Sequence, residues 1–217
     1  MSFAWSYSAL SLYKTCPRKY WAEKVAKVVP FKSNDAAEYG KMVHKKFENY
    51  LMKGSPLPLD LKHHEKVLKK LRDASGEGMP EQKLALTEDL EPTGYFDKDV
   101  WFRCVIDYAK VNDGRALVVD HKTGRRYDDF LQLELSAIAL HTYLPDVEQF
   151  TLAYYWTKDK KITPQPLTTA EFPRVWAKVH PVLDRIENSY ATDSWPLKQN
   201  FLCEKYCGYK DCPYNGK

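Results

Sequence analysis

The pair Asp113-Gly114 separates two strand-like runs, VWFRCVIDYAKV before it and RALVVDHKTG after it. Asp-Gly favours a two-residue hairpin turn because both central positions of that turn need positive φ. A turn at 113–114 fixes the pairing register, and counting outward along the ladder places Asp107 across from Asp120. Both carboxylates then leave the same face of the sheet, where facing Cβ atoms are roughly 4.5–5.5 Å apart. Two like charges that close are unfavourable unless a cation separates them.

Lys122, two residues past Asp120, shares that face, while His121 points its side chain the other way and leaves its backbone carbonyl near the strand edge. Two carboxylates and a carbonyl form a hard oxygen donor set, which selects Mg²⁺ or Mn²⁺. A bare D…DxK pattern is better explained by exposed turn-side aspartates with a lysine countercharge. The register and the surroundings reverse that preference in favour of the cation.

The chain has 217 residues, 33 basic and 29 acidic, for a net charge of +4. That length suits one domain. A mean hydropathy of −0.57 and the lack of a long apolar run exclude a membrane span. The opening MSFAWSYSALSLYK lacks the layout of a secretory signal, so the expected compartment is the cytoplasm. Lys and Arg cluster in KTCPRKYWAEKVAK, GKMVHKK, KVLKKLR and KTGRR, a distribution that suits a polyanionic partner and equally suits solvated helix faces.

Periodicity predicts a helix from Ser6 to Val28, broken near Cys16 by Pro17. It predicts another from Glu38 to Met52 with Val43, Phe47, Tyr50 and Leu51 on one face and His44 at its border, and a third over 61–73. Strand character runs from Gln82 to Leu90 and through 94–122. A helix covers Asp128–Leu144, a strand Phe150–Thr157, and a short strand near Ile162 pairs with it. Thr168 and Glu171 form a capping box before the last helix. The segments 53–60, 75–80 and 162–167 read as loops. Glu81 reads as an exposed loop glutamate, and His63, His64, His141 and His180 match no ligand spacing.

Five cysteines in a chain without an export signal point to thiols or thiolate ligands. Cys203, Cys207 and Cys212 crowd the tail CEKYCGYKDC. A closed site for zinc or an iron-sulfur cluster needs a fourth soft ligand. Cys104 sits inside a hairpin strand and reads as a small core residue, so Cys16 is the expected fourth.

The segments SALSLYKTCPRKYW, GKMVHKKFENYL, VIDYAKV, VVDHKTG and FLQLELSAIAL together resemble the PD-(D/E)XK nucleases. They are most similar to the RecB-like branch that includes the AddB nuclease domain and the CRISPR-adaptation exonucleases. The resemblance implies an α/β fold, a restriction-endonuclease-like core with a central mixed sheet flanked by helices, plus N- and C-terminal cysteine segments joined by a metal clasp. It implies one nuclease domain over 1–217, with cluster-binding segments at 1–30 and 195–217 and a nuclease core at 38–190. By the same resemblance His44, Asp107, Asp120 and the His121 carbonyl hold Mg²⁺ or Mn²⁺, Lys122 is the catalytic lysine, and Gln132 is the downstream glutamine. Cys16, Cys203, Cys207 and Cys212 then hold a [4Fe-4S] cluster, with structural Zn²⁺ as the alternative.

Arg125, Arg126, Lys14, Arg18 and Lys19 are the expected DNA contacts. The implied activity is a Mg²⁺-dependent DNA exonuclease acting on single-stranded or free ends in recombination, repair or phage DNA metabolism, with a recombinase or single-strand-binding protein as possible partner. A structure-specific endonuclease and a non-catalytic DNA-binding subunit are the alternatives. Two positions depart from the pattern: Val118-Val119 precede Asp120 in place of a Pro-Asp pair, and Ser136 stands where a tyrosine is often found.

Overall fold

The computed structural model describes residues 3–30 and 33–217; the first two residues of the expected 1–30 segment lie outside that range. Two compact units form, one from residues 34–175 and the other from 1–33 with 176–217.

The 34–175 unit is built on a six-stranded mixed sheet: β1 (Glu77–Leu86), β2 (Pro92–Thr93), β3 (Phe102–Asn112), β4 (Arg115–Lys122), β5 (Gln149–Trp156) and β6 (Lys161–Thr168), in the order β2-β1-β3-β4-β5-β6. Only β4 and β5 run parallel, and the helix Leu131–Tyr143 (α5 in the numbering below) connects them, as a parallel pair requires. The hairpin turn forms as its dipeptide dictates: φ is +46° at Asp113 and +70° at Gly114, and Asn112 faces Arg115 while Tyr108 faces Val119.

Along the chain the helices are α1 (Tyr7–Thr15), α2 (Pro17–Tyr20), α3 (Asp35–Lys53), α4 (Glu65–Asp73), α5 (Leu131–Tyr143) and α6 (Phe172–Thr192). Asn34 caps α3 by accepting from Ala37 N at 2.9 Å, and Gly54 closes it at φ +66°. The apolar stripe of α3 buries Val43 and Phe47 against Tyr108, Val119 and Tyr155 of the sheet, with Leu61 and Leu68 completing that layer. Alternation along the strands sends Asp120 and Tyr154 to the opposite face, where Gln132 and Phe130 at the start of α5 meet them. Leu131 through Leu140 leave only Gln132 outside the buried set, so this helix is apolar almost all round, as one packed into a core must be.

Three segments differ from the sequence expectation. Strand β1 begins at Glu77, within a stretch that reads as a loop, because β2 covers it only at Ala85 and Leu86. A strand whose outer edge is otherwise unpaired tolerates Gly78 and Pro80. The same reason admits Pro164 and Pro166 to the edge strand β6, where 162–167 reads as a loop. Residues 94–101 are turns and irregular chain, not strand. The break expected near Cys16 is present, with an extended Cys16 and Pro17 opening α2, and the Thr168/Glu171 capping box forms before α6.

His64, left unassigned by its spacing, is a core residue at 2 % exposure, with Nδ1 2.6 Å from the Tyr155 hydroxyl. Burial, reinforced by the neighbouring His63, pushes its pKa down to about 4. The native state therefore holds His64 neutral while the unfolded chain protonates it near 6.5. Its stabilising share is complete above about pH 6.5 and is lost as pH falls through about 4, on the order of 2–3 kcal/mol. Urea unfolding at stepped pH should show this slope in the native protein and a shallower one in His64→Phe; parallel slopes would refute it.

Candidate active site and thiol cluster

The β3–β4 ladder ends at Tyr108 and Val119, and the next residue outward on β3 is Asp107. Its carboxylate substitutes for a ladder carbonyl: Oδ2 accepts from His121 N at 2.7 Å. Oδ1 lies 3.1 Å from His44 Nδ1, brought in from α3. On the β1 side the pairing steps from Pro80–Tyr108 to Gln82–Ile106, and Glu81 between them adopts φ +50°. Asp107 thus sits beyond the end of the β3–β4 ladder and across from the irregular backbone of Glu81.

Burial would raise the Asp107 carboxyl, but hydrogen bonds from His121 and His44 and their charges hold it well below the usual carboxylate range. For His44, burial favours the neutral ring, yet the hydrogen bond and charge of Asp107, the charge of Asp120 and a backbone hydrogen bond to His121 raise its pKa. That backbone contact keeps the main chain of His121 beside His44. Its imidazole also reaches the site. His121 Nδ1 is 3.5 Å from Asp107 Oδ2, and the ring is 2 % exposed and packed edge-on against Phe47. His121 Nε2 is buried without a hydrogen-bond partner. Among the described residues, His44, Asp107 and His121 are the group of three whose ligand atoms all lie within 4.8 Å of one another.

Asp120 belongs to a second, adjoining triangle. Its Oδ2 is 2.9 Å from Lys122 Nζ and its Oδ1 accepts from Gln132 Nε2 at 2.7 Å, while Lys122 Nζ donates to Gln132 Oε1 at 2.7 Å. Burial and the charge of Asp107 push the Asp120 carboxyl up, against the pull of Lys122. Burial would lower Lys122, but Asp120 and the Tyr127 phenol raise it. The two aspartates sense each other's charge, but the expected shared face is not kept: the Asp107 carboxylate turns to His44 and His121, while that of Asp120 lies with Lys122 and Gln132, because β3 pairs with β4 only from Tyr108 to the turn. Donor chemistry fits a divalent cation here: carboxylates, an imidazole and main-chain oxygen, with His44 and Asp107 facing an open cleft of about 510 Å³. That cleft is lined by His44, Glu48, Glu81 and Asp107 among others. Glu81 is therefore part of the cleft and not a remote loop residue; burial and Asp107 raise its carboxyl.

The basic residues divide between the units. Arg125 is exposed, and Arg126 donates to Thr163 Oγ1 at 3.1 Å; both belong to the 34–175 unit. Lys14, Arg18 and Lys19 belong to the other. Arg18 lies 5.0 Å over the Trp21 ring, Lys19 is near Glu23 at 3.8 Å, and Lys14 is exposed.

In that second unit Cys16, Cys203, Cys207 and Cys212 line one pocket with Arg18 and Lys19, enclosing about 10 Å³. A thiol-only donor set fits a thiophilic metal centre. Cys104 lies elsewhere, half-buried, and interacts with Ser136, its thiol pushed up to about 12 by desolvation.

A family model described as the PD-(D/E)XK nuclease superfamily matches residues 4–213. Among solved structures, the crystal structure of SSO0001 is similar, with a TM-score of 0.52 and 17% identity over 98% of this chain and 87% of that one. So is a Eubacterium rectale protein provisionally named an exonuclease, with a TM-score of 0.56 and 14% identity over 91% and 85% of the respective chains. A search of curated proteins finds no significant match. Among the described residues no helix is long and apolar enough to cross a membrane.

Proposed function

Because the chain belongs to the PD-(D/E)XK nuclease superfamily, we propose that it is a divalent-metal-dependent deoxyribonuclease acting from free DNA ends. The observation that carries this reading is the pair of adjoining triangles, His44–Asp107–His121 and Asp120–Lys122–Gln132, joined across the end of one hairpin. Asp107, Asp120, His44 and the His121 carbonyl would hold Mg²⁺ or Mn²⁺. Such an ion, when bound, neutralises charge on a phosphodiester and lowers the pKa of water. Lys122 supplies a fixed cation to the scissile phosphate and a hydrogen bond to the attacking water. Gln132 holds the Lys122 ammonium and the Asp120 carboxylate in one geometry, so the lysine is aimed before substrate arrives. Arg125 and the lysines offer contacts to the DNA backbone, which makes binding fall steeply with salt.

The four thiols are proposed to hold a [4Fe-4S] cluster. Ligation by cysteine thiolates alone is the usual way such a cluster is held. A cluster of that kind stabilises the fold that binds it.

End dependence is tested by incubating the protein with Mg²⁺ and with the same plasmid either linearised or covalently closed. Release of nucleotides from the linear form alone is the expected result. Nicking or linearising the closed circle at a comparable rate would replace this reading with an endonuclease. Binding without cleavage of either form would indicate a non-catalytic DNA-binding subunit.

A further inference from the structure

Lys122 is surrounded by aromatic rings. Its ammonium lies 5.3 Å from the Tyr154 ring centroid and 6.0 Å from that of Tyr127. Tyr127 packs edge-on against Tyr154 at 5.3 Å and against Trp156 at 5.2 Å. Tyr154 and Trp156 are closed off at 0 and 1 % exposure, whereas Tyr127 is 38 % exposed. The buried pair is a floor, and Tyr127 is the ring that reaches solvent.

The loop carrying Tyr127 is tied on both sides. The preceding Arg126 donates to Thr163 on β6, which also accepts from Trp156 Nε1 at 3.0 Å. After Tyr127, the Asp129 carbonyl accepts from the Tyr154 hydroxyl at 3.1 Å. An exposed aromatic on a loop this constrained loses little conformational freedom on contacting a ligand, which favours binding. An ordinary surface tyrosine has no comparable bracing and no cation beside it.

Aromatic side chains next to a cationic group bind single-stranded nucleic acid by stacking on the bases while the cation takes the backbone. We propose that Tyr127 is the nucleobase-stacking residue of the site, receiving an unpaired base beside the phosphate presented to Lys122. This rests on the nuclease reading above and extends it to a substrate class: DNA single-stranded at the point of attack. Because every base has a stacking face, the subsite is indifferent to sequence.

The test uses a fluorescently labelled oligothymidylate and a series carrying one abasic position moved along it, with binding measured by anisotropy without added magnesium. Loss of one stacked base corresponds to about 1–3 kcal/mol, or about 5- to 150-fold in affinity. Tyr127→Leu should show that loss on the intact strand. One abasic position should cost the native protein a similar factor and cost Tyr127→Leu almost nothing, the signature of a direct pair. Tyr127→Phe and Tyr127→Trp should restore both affinity and abasic sensitivity, and with magnesium the leucine variant should lose more in KM than in kcat. Equal abasic penalties in native and leucine proteins, or no sensitive position in the native protein, would overturn the inference. Cleavage without this coupling removes the stacking role and leaves the nuclease reading intact. Coupling without cleavage does the reverse.

Discussion

Lys122→Ala should lower Mg²⁺-dependent cleavage by at least about 10²–10³-fold, the scale for removing one preorganised charge-stabilising donor, while DNA binding changes by less than about tenfold. Lys122 is one of many cations available to the DNA backbone but the one joined to Asp120 and Gln132 at 2.9 and 2.7 Å. Its loss also leaves Asp120 buried beside Asp107 without a countercharge, which destabilises the apo protein. Thermal unfolding therefore has to be measured alongside activity. Lys122→Met keeps the stem and separates the lost charge from lost packing. Gln132→Leu should have a smaller effect on cleavage, because it releases Lys122 without removing it. Cleavage by Lys122→Ala within threefold of the native rate would exclude the lysine from the chemistry.

The second large effect concerns the thiols. Anaerobically purified protein should be brown, with a broad band near roughly 400 nm, and Cys16→Ser should abolish the colour. Cys16 and Cys203 are far apart in sequence, so a metal centre joining them closes a very long loop, and its binding free energy enters folding directly. Cys16→Ser or iron chelation should lower the melting temperature by more than about 10 °C, given about 2–4 °C per kcal/mol for a chain of this length, and should expose 1–33 and 176–217 to protease first. Cys104→Ser has no part in this and should keep the colour. A colourless protein holding one zinc would replace the cluster with a tetrahedral site, and one without bound metal would leave the thiols a structural cavity.

The hairpin was readable because its information is local: Asp-Gly sets the turn, and a side-chain period of two carries the register to Asp107 and Asp120. The same period hid the imidazole of His121. Strict alternation sends it to the α3 face, away from Asp120, which is where it lies against Phe47. What alternation cannot express is that β3 pairs with β4 only from Tyr108 to the turn, freeing the preceding Asp107 carboxylate to turn toward that face. Edge strands were lost for another reason. Pro80, Pro164 and Pro166 punctuate a sequence strongly, yet cost little where the outer edge carries no ladder. Tyr127 lies in no periodic segment, and only Tyr154 and Trp156, distant in sequence, mark it out. The thiols stand out in the sequence because soft donors are scarce, and Cys16, Cys203, Cys207 and Cys212 line one pocket.

The Asp113-Gly114 bend works as a ruler for a centre at the far end of its hairpin. An extra amino acid there would slip one strand past the other and exchange the faces on which Asp120, His121 and Lys122 emerge, dismantling both triangles without touching any member of either. The irregular stretch at 94–101 has no such leverage, since it enters β3 ahead of its pairing with β4. Drift in chain length through descent is thus tolerable on one side of Asp107 and ruinous on the other.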